Sequence, residues 1–170
     1  MDMLEKVRAD ARTALFDAMT EVRAGMLGVE GSGQHMQPMT HFLDEDTAEL
    51  WFITASDTDL VRAVGQGARA HYCVISKDQT LHACLSGTIV QSQDTDKLDA
   101  LWSPVAAAWF EGGRDDPKVT LLQLTLLDAS VWATTDSMVA QSLEVARATM
   151  DAGHKPDIGE HVVVQFGKAA

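Results

Sequence analysis

The stretch that decides the fold runs from Leu101 to Pro117 and reads Leu-Trp-Ser-Pro-Val-Ala-Ala-Ala-Trp-Phe-Glu-Gly-Gly-Arg-Asp-Asp-Pro. It holds two of the four tryptophans of the chain. Ser103 before Pro104 predicts a helix start, because the hydroxyl can cap the first turn and proline costs nothing at the first helical position. The glycines at 112 and 113 predict where that helix stops. Each aromatic residue alone is typical of a core anchor, but together they indicate a surface that accommodates something flat or tightly packed.

Composition narrows the classes of protein that the chain can represent. With 170 residues, 46% of them hydrophobic, we expect one domain spanning residues 1–170 with a sizeable core. A formal net charge of −12 argues against nucleic acid and anionic membranes as partners, since both are bound through clustered Lys and Arg. The first residues lack the pattern of a secretory signal and no segment resembles a membrane span, so a cytoplasmic location is expected. Cys73 and Cys84 are expected to be reduced and buried.

Hydrophobic patterning predicts a mainly β chain with covering helices, an α+β fold. The spacing between strands is too short for βαβ crossovers, so an antiparallel barrel is favoured over a sheet packed against helices. The first three predicted strands follow one another as a meander, and Gly87 marks a bend. Helices are predicted over 2–19, 57–67, from near Asp94, over 105–110 and over 138–152. Strands are predicted over 23–29, 34–42, 49–55, 68–76, 80–91, 119–126, 130–133 and 161–166.

Common catalytic and metal motifs are missing from the sequence. The glycine pairs lack the context of a dinucleotide fingerprint, there is no P-loop, and no serine sits on a nucleophile elbow. The six histidines show no established metal-ligand spacing, and no metal site is predicted. His35 and His41 would share a face of one strand, which leaves a paired-ligand interpretation open.

Several segments together resemble one family, the pyridoxamine 5'-phosphate oxidase-like split-barrel proteins, in their general stress protein branch. The likeness covers nearly the whole chain. It rests on Leu-Trp-Phe-Ile-Thr at 50–54, Leu-Ser-Gly-Thr at 85–88, the segment 101–110, Asp-Asp-Pro at 115–117, Trp132 and the closing loop 153–161. The resemblance implies a six-stranded antiparallel split β-barrel of the FMN-binding type, which dimerises and binds flavin mononucleotide (FMN) in the groove between subunits.

The resemblance also implies which residues form the flavin site. The strand of Gln37, Pro38 and Met39 would run beside the flavin ring, and Phe52, Ile53 and Thr54 would line its floor. The partner of the homodimer would bring Trp109 against the ring edge. Catalytic residues are not assigned, because a bound flavin carries the redox chemistry itself.

The chain departs from the family pattern where the phosphate of FMN is held. Gln37 replaces a typical arginine, Ala55 a serine and Leu60 a lysine, so two cations and a hydroxyl are lost from the region. Ser56, Thr58 and Arg62 are possible substitutes, since the two hydroxyls lie at a helix start and Arg62 lies on that helix.

Two functions therefore stay open from the sequence. The first is an FMN-binding protein of the general stress type with a flavin-dependent redox role. The alternative is a non-catalytic split-barrel dimer that has lost its phosphate anchors and binds another small molecule or acts in a stress response. A haem-binding relative with His161 as ligand is a lesser possibility.

Overall fold

The computed structural model describes residues 1–167, which form five helices and a β-sheet. The last three residues of the predicted domain 1–170 lie outside the described part. Helix α1 begins with a complete capping box, in which the Asp2 carboxylate accepts from the amide of Glu5 and the Glu5 carboxylate accepts from the amide of Asp2. No helix within residues 1–167 combines the length and the apolar character that crossing a membrane requires. The helices are α1 (Met3–Glu21), α2 (Asp59–Val64), α3 (Thr95–Leu101), α4 (Pro104–Ala107) and α5 (Met138–Met150), and a 3-10 turn spans Gly113–Asp115.

All eight strands of the described residues belong to one antiparallel sheet. They pair in the order β2-β1-β5-β6-β7-β4-β3. The long strand β7 pairs with β4 along its first half and with β8 along its second half, residues 128–134. The sheet curls into a half-barrel, since β2 at one end also approaches β4 near the other. The strands are β1 (Ala24–Val29), β2 (Gln37–Thr40), β3 (Phe42–Asp44), β4 (Glu49–Ala55), β5 (Ala68–Ile75), β6 (Leu81–Ser92), β7 (Val119–Thr134) and β8 (Gly159–Gln165).

The core lies on the concave side of the sheet, where side chains at alternate positions point inward. Helix α1 packs over this side through its apolar stripe, contacting β6, β7 and β8. A second, smaller cluster lies on the outer side of β4, where Trp51 packs with Leu98 of α3, Leu121 and Trp102. The largest fully buried side chains of the sheet are Leu27, Leu50, Phe52, Tyr72, Leu81, Leu85, Ile89, Leu121, Leu122 and Leu124.

The sheet corrects three expectations about strands. The predicted meander is wrong, because β4 pairs with β7 along its whole length and β2 pairs only with β1. The sheet has eight strands and not the six that the resemblance implied, in part because His41 interrupts the predicted strand 34–42 and separates β2 from β3. The two segments predicted over 119–133 form one continuous strand.

The bend predicted at Gly87 is confirmed as a bulge. The pairing of β6 with β7 shifts register between Ser86 and Gly87. A Cβ atom at Gly87 would lie 2.1 Å from the carbonyl oxygen of Thr125, so only glycine allows this approach of the two backbones.

Helix boundaries near the predicted site also differ from expectation. Helix α2 is capped by Thr58, and it is shorter than the predicted 57–67. Helix α4 begins as predicted, with the Ser103 hydroxyl accepting from the amide of Ala106 at 3.3 Å, but it ends at Ala107.

Candidate functional site

The open side of the half-barrel is the place where the predicted site residues gather. Strand β2 and the β3–β4 hairpin occupy opposite ends of the sheet order, and the curl brings β2 towards β4. The start of α2 follows directly from the end of β4. Nine of the ten predicted residues lie on these three elements and the turn between them.

On β2 the three predicted residues differ in exposure. Pro38 is exposed, while Gln37 and Met39 are half-buried, and Met39 packs against the core. The carbonyl oxygen of Met39 lies 2.8 Å from the hydroxyl of Tyr72 in the barrel interior. Strand β2 is thereby fixed to the core through its backbone. Of the three predicted residues on this strand, only Gln37 has a polar side chain.

On β4 the predicted residues do not share one surface. Phe52 is fully buried and packs edge-to-face against Tyr72 with ring centroids 5.2 Å apart. Ile53 faces the other side of the sheet, where it packs with the cluster around Trp51. Thr54 is half-buried and pairs with Thr120. The side chains of Phe52 and Ile53 therefore cannot line one floor, and Phe52 is available to a surface ligand only through its backbone.

The turn between β4 and α2 is held by hydrogen bonds that use its hydroxyl and amide groups. The amide of Ser56 donates to the carbonyl of Lys118 at 2.8 Å. The hydroxyl of Thr58 accepts from the amide of Val61 at 3.3 Å and donates to the carbonyl of Ala55 at 3.0 Å. The side chain of Ser56 is half-buried and makes no hydrogen bond within the described residues. Its hydroxyl is the polar group of this turn that a ligand can reach without breaking a bond.

Leu60 and Arg62 point in opposite directions from α2. Leu60 is buried in the core, so this position cannot present a cation to a ligand. Arg62 is exposed, donates to the carbonyl of Asp57 at 2.8 Å and forms an ion pair with Asp59. Leu60 therefore contributes to core packing at the position where the family pattern has a lysine. The exposed cation on α2 is Arg62.

Sequence reasoning missed a second cation at this turn, Lys118. Its Nζ atom lies 2.8 Å from Oδ2 of Asp57, and this ion pair raises the pKa of Lys118 and lowers that of Asp57. Asp116 accepts from the amides of Lys118 at 2.9 Å and Gly112 at 3.1 Å, and these bonds lower its pKa. The Asp-Asp-Pro motif therefore orders the turn that carries Lys118, which is the signal that could have located it.

Both cations at the turn are already matched by carboxylates. Arg62 faces Asp59 and Lys118 faces Asp57, with Asp116 close behind. An incoming phosphate group would have to compete with these carboxylates for the two cations.

Trp109 lies apart from the other predicted residues. It follows α4 and is 82% exposed, so its ring is free of the core of its own chain. Trp102 packs against the outer cluster and approaches Phe110, with ring centroids 5.9 Å apart. Val105, in the first turn of α4, is exposed.

The histidines, cysteines and carboxylates of the described residues do not by themselves form a metal centre. Among residues 1–167, no group of three or more His, Cys, Asp or Glu side chains is placed to hold a metal ion. Both ring nitrogens of His41 have partners, the carbonyl of Met19 at 2.9 Å and the hydroxyl of Tyr72 at 2.7 Å, so the interpretation of His35 and His41 as paired ligands is wrong. His161 stacks on Trp132 with centroids 4.8 Å apart. The cysteines are free, as expected, but half-buried and not buried.

These features define a class: an α+β protein built on a curled antiparallel half-barrel, with a polar turn and two paired cations at its open side. The model of the family described as pyridoxamine 5'-phosphate oxidase like matches residues 10–157, and the chain belongs to that family. The resemblance predicted from the sequence is confirmed.

Solved structures agree with this assignment. A protein assigned as general stress protein 26 from Jannaschia sp. CCS1 is 37% identical, with 93% of this chain and 99% of that chain covered and a TM-score of 0.75. The general stress FMN/FAD binding protein from Xanthomonas citri is 34% identical, covering 73% and 89% of the two chains, with a TM-score of 0.66. A protein from Clostridium acetobutylicum related to general stress protein 26 shares the fold at 15% identity, with 98% and 97% covered and a TM-score of 0.65. No curated protein matches this chain.

Proposed function

We propose that this protein binds FMN at the open side of its half-barrel and uses it in a redox reaction. The observation that carries the proposal is the gathering of β2, the end of β4 and the Ser56–Thr58 turn at one edge, in a chain 34% identical to a general stress FMN/FAD binding protein. FMN, when bound, would supply hydride or electron transfer.

The residues present fit the ring of a flavin better than its phosphate. Exposed Pro38 offers apolar surface, and the backbone of β2 and the side chains of Gln37 and Thr54 offer hydrogen-bonding groups. For the phosphate, the free hydroxyl of Ser56 lies beside Arg62 and Lys118, whose present partners are carboxylates. We therefore expect this site to bind FMN more weakly than a site whose cations are not paired with carboxylates.

We further propose a homodimer, because a large apolar surface of this chain has no cover. Helix α5 buries only Glu144, while its apolar side chains face outward, and Trp109 is exposed as well. A second copy can cover both and place Trp109 at the edge of the groove. The exposed apolar residues of α5 are Met138, Val139, Leu143, Val145 and Met150.

The phosphate assignment can be tested by titrating the purified protein with FMN and following flavin fluorescence. We expect Arg62→Ala and Lys118→Ala each to weaken binding by about tenfold, since one charge-assisted hydrogen bond contributes about 1.5–3 kcal/mol. Lys77→Ala is the matched control, because Lys77 is an exposed lysine on the β5–β6 turn. Unchanged affinity in both test variants would show that these cations do not hold the phosphate.

A second candidate function is favoured by the charge balance at the turn. Arg62 and Lys118 are both engaged by carboxylates, so a split-barrel dimer that binds a different small molecule, without flavin chemistry, is the alternative. Such a protein would not bind FMN but would still elute as a dimer. The flavin-binding protein would bind FMN and elute as a dimer.

A further inference from the structure

Three sulfur-bearing side chains stand in one row on the outer face of the sheet. The strand register pairs Met26 of β1 with Cys73 of β5, and Cys73 with Cys84 of β6. Residues paired across neighbouring strands present their side chains on the same face. The row therefore brings a thioether and two thiols side by side across three adjacent strands.

The two thiols occupy the closest kind of cross-strand position. The amide of Ser76 donates to the carbonyl of Leu81 at 2.8 Å, which fixes the alternation of hydrogen bonds between β5 and β6. Counting back along the register, Cys73 and Cys84 form a pair without backbone hydrogen bonds, where side chains approach most closely. Burial, the proximity of Cys84 and a hydrogen bond with its thiol raise the pKa of Cys73 to about 11.

All three sulfur side chains are open to small solutes in this chain. Both cysteines are free and half-buried, and Met26 is 40% exposed. Met26, Cys73 and exposed Pro38 line a shallow depression with Ala24, Gly25 and Ile75. A ligand can therefore approach the sulfurs from outside without opening the core.

The donor set selects a particular class of ligand. The row continues through Pro38 on one side and through Ser130 and Val163 on the other, so it contains no carboxylate. Hard cations such as Mg²⁺ and Ca²⁺ prefer oxygen ligands, whereas thiolates and thioethers select soft cations, copper(I) foremost among the first-row metals. Two thiolates would also offset the charge of a monovalent cation.

We propose that Met26, Cys73 and Cys84 form a binding site for one soft monovalent cation of the copper(I) class. The two cysteines bind as thiolates and release their protons on binding, and the methionine adds its thioether as a neutral third ligand. No electron is transferred in this step. The three proposed ligands are not among the proposed flavin contacts, although Pro38 borders both sites.

The test is an anaerobic competition between the reduced, metal-free full-length protein and the copper(I) chelator bathocuproine disulfonate. We expect the protein to withdraw one copper(I) per chain, with a new ultraviolet absorption from the copper–thiolate bonds. Loss of an outer-shell partner of a metal ligand costs about 10–100-fold in affinity, so loss of a thiolate should cost more. Cys73→Ser and Cys84→Ser are thus expected to weaken binding by more than about 100-fold.

Met26→Leu tests the third ligand, with Met36→Leu as its matched control because Met36 is exposed to a similar degree, 38%. We expect Met26→Leu to weaken copper(I) binding by about tenfold and Met36→Leu to leave it unchanged. Circular dichroism would check that every variant is folded. Failure to withdraw copper(I), binding that survives both serine substitutions, equal effects of the two leucine substitutions, or a disulfide as the only product would each overturn the proposal.

Discussion

The Nδ1 atom of His41 lies 2.7 Å from the hydroxyl of Tyr72 in the interior of the half-barrel. The other ring nitrogen, Nε2, donates to the carbonyl of Met19 at 2.9 Å, so Nδ1 of the neutral ring is an acceptor. The one hydroxyl proton of Tyr72 is shared between this nitrogen and the carbonyl of Met39, 2.8 Å away. Burial lowers the pKa of His41 and raises that of Tyr72, which keeps both groups neutral. One histidine between β2 and β3 thus ties the last turn of α1 to β5.

We predict that Tyr72→Phe destabilises the protein by about 1–3 kcal/mol, because it removes the partner of the buried Nδ1 of His41 and the hydrogen bond to the carbonyl of Met39. Urea denaturation at pH 7 measures this loss. Unchanged stability would show that the hydrogen bond between the two side chains is unimportant.

Acid should weaken the same contact. Because burial holds the folded-state pKa of His41 below its value in the unfolded chain, near 6.5, the unfolded chain takes up a proton that the folded chain does not. Stability is therefore lost as the pH falls below about 6.5 towards the folded-state pKa. We expect the wild type to lose stability more steeply between pH 6.5 and 5 than His41→Gln, which cannot titrate. Parallel curves for the two proteins would contradict this.

Gly87→Ala should be strongly destabilising, by about 3 kcal/mol or more, because the added methyl would meet the carbonyl of Thr125 at 2.1 Å. Gly159→Ala is the control, since its nearest neighbour would be the carbonyl of Ala133 at 3.4 Å, an ordinary contact. Thermal unfolding of the two variants would separate these outcomes. Equal melting temperatures would argue against the bulge as a packing constraint.

Glu144 should fasten α5 to the loop that follows it. Its carboxylate accepts from the amide of Asp157 at 3.0 Å, from His154 at 2.7 Å and from Arg147 at 2.7 Å, which lowers its pKa to about 2. We expect Glu144→Gln to reduce hydrogen-exchange protection in α5 at pH 7, and exposed Glu45→Gln to leave it unchanged. The stabilisation by Glu144 is lost as the pH falls from about 4.5 towards about 2, so the difference from wild type should shrink over that window.

The positions of the strands could be predicted from the sequence more accurately than the pairing of the strands in the sheet. Alternation and turn residues located nearly every strand, and Gly87 marked the bulge. The pairing of β4 with β7 could not be predicted, because it joins strands more than sixty residues apart and local patterns carry no register between them.

The orientation of the candidate site residues could not be predicted from the sequence. Phe52 and Ile53 are adjacent in sequence, and only the sheet shows that they face opposite sides. Leu60 seemed a missing cation until its burial assigned it to the core. Lys118 went unnoticed because its closeness to Asp57 depends on the pairing of β4 with β7.

Restoring a cation on β2 should strengthen flavin binding. Gln37 is half-buried on the strand proposed to lie beside the ring, where the resemblance to the family led us to expect arginine. We expect Gln37→Arg to tighten FMN binding by about tenfold or more, since it adds a charge-assisted hydrogen bond. Gln37→Leu, which adds no charge, should not tighten binding. Equal affinities for both variants would place the phosphate elsewhere.

Whether the protein binds FMN is tested most directly by measuring how much flavin it retains. The purified wild-type protein is incubated with excess FMN, desalted, and examined by visible absorbance with light scattering on the same eluting peak. We expect a dimer that keeps the flavin band at one FMN per chain. A peak that carries no flavin after incubation with a large excess of FMN would contradict it.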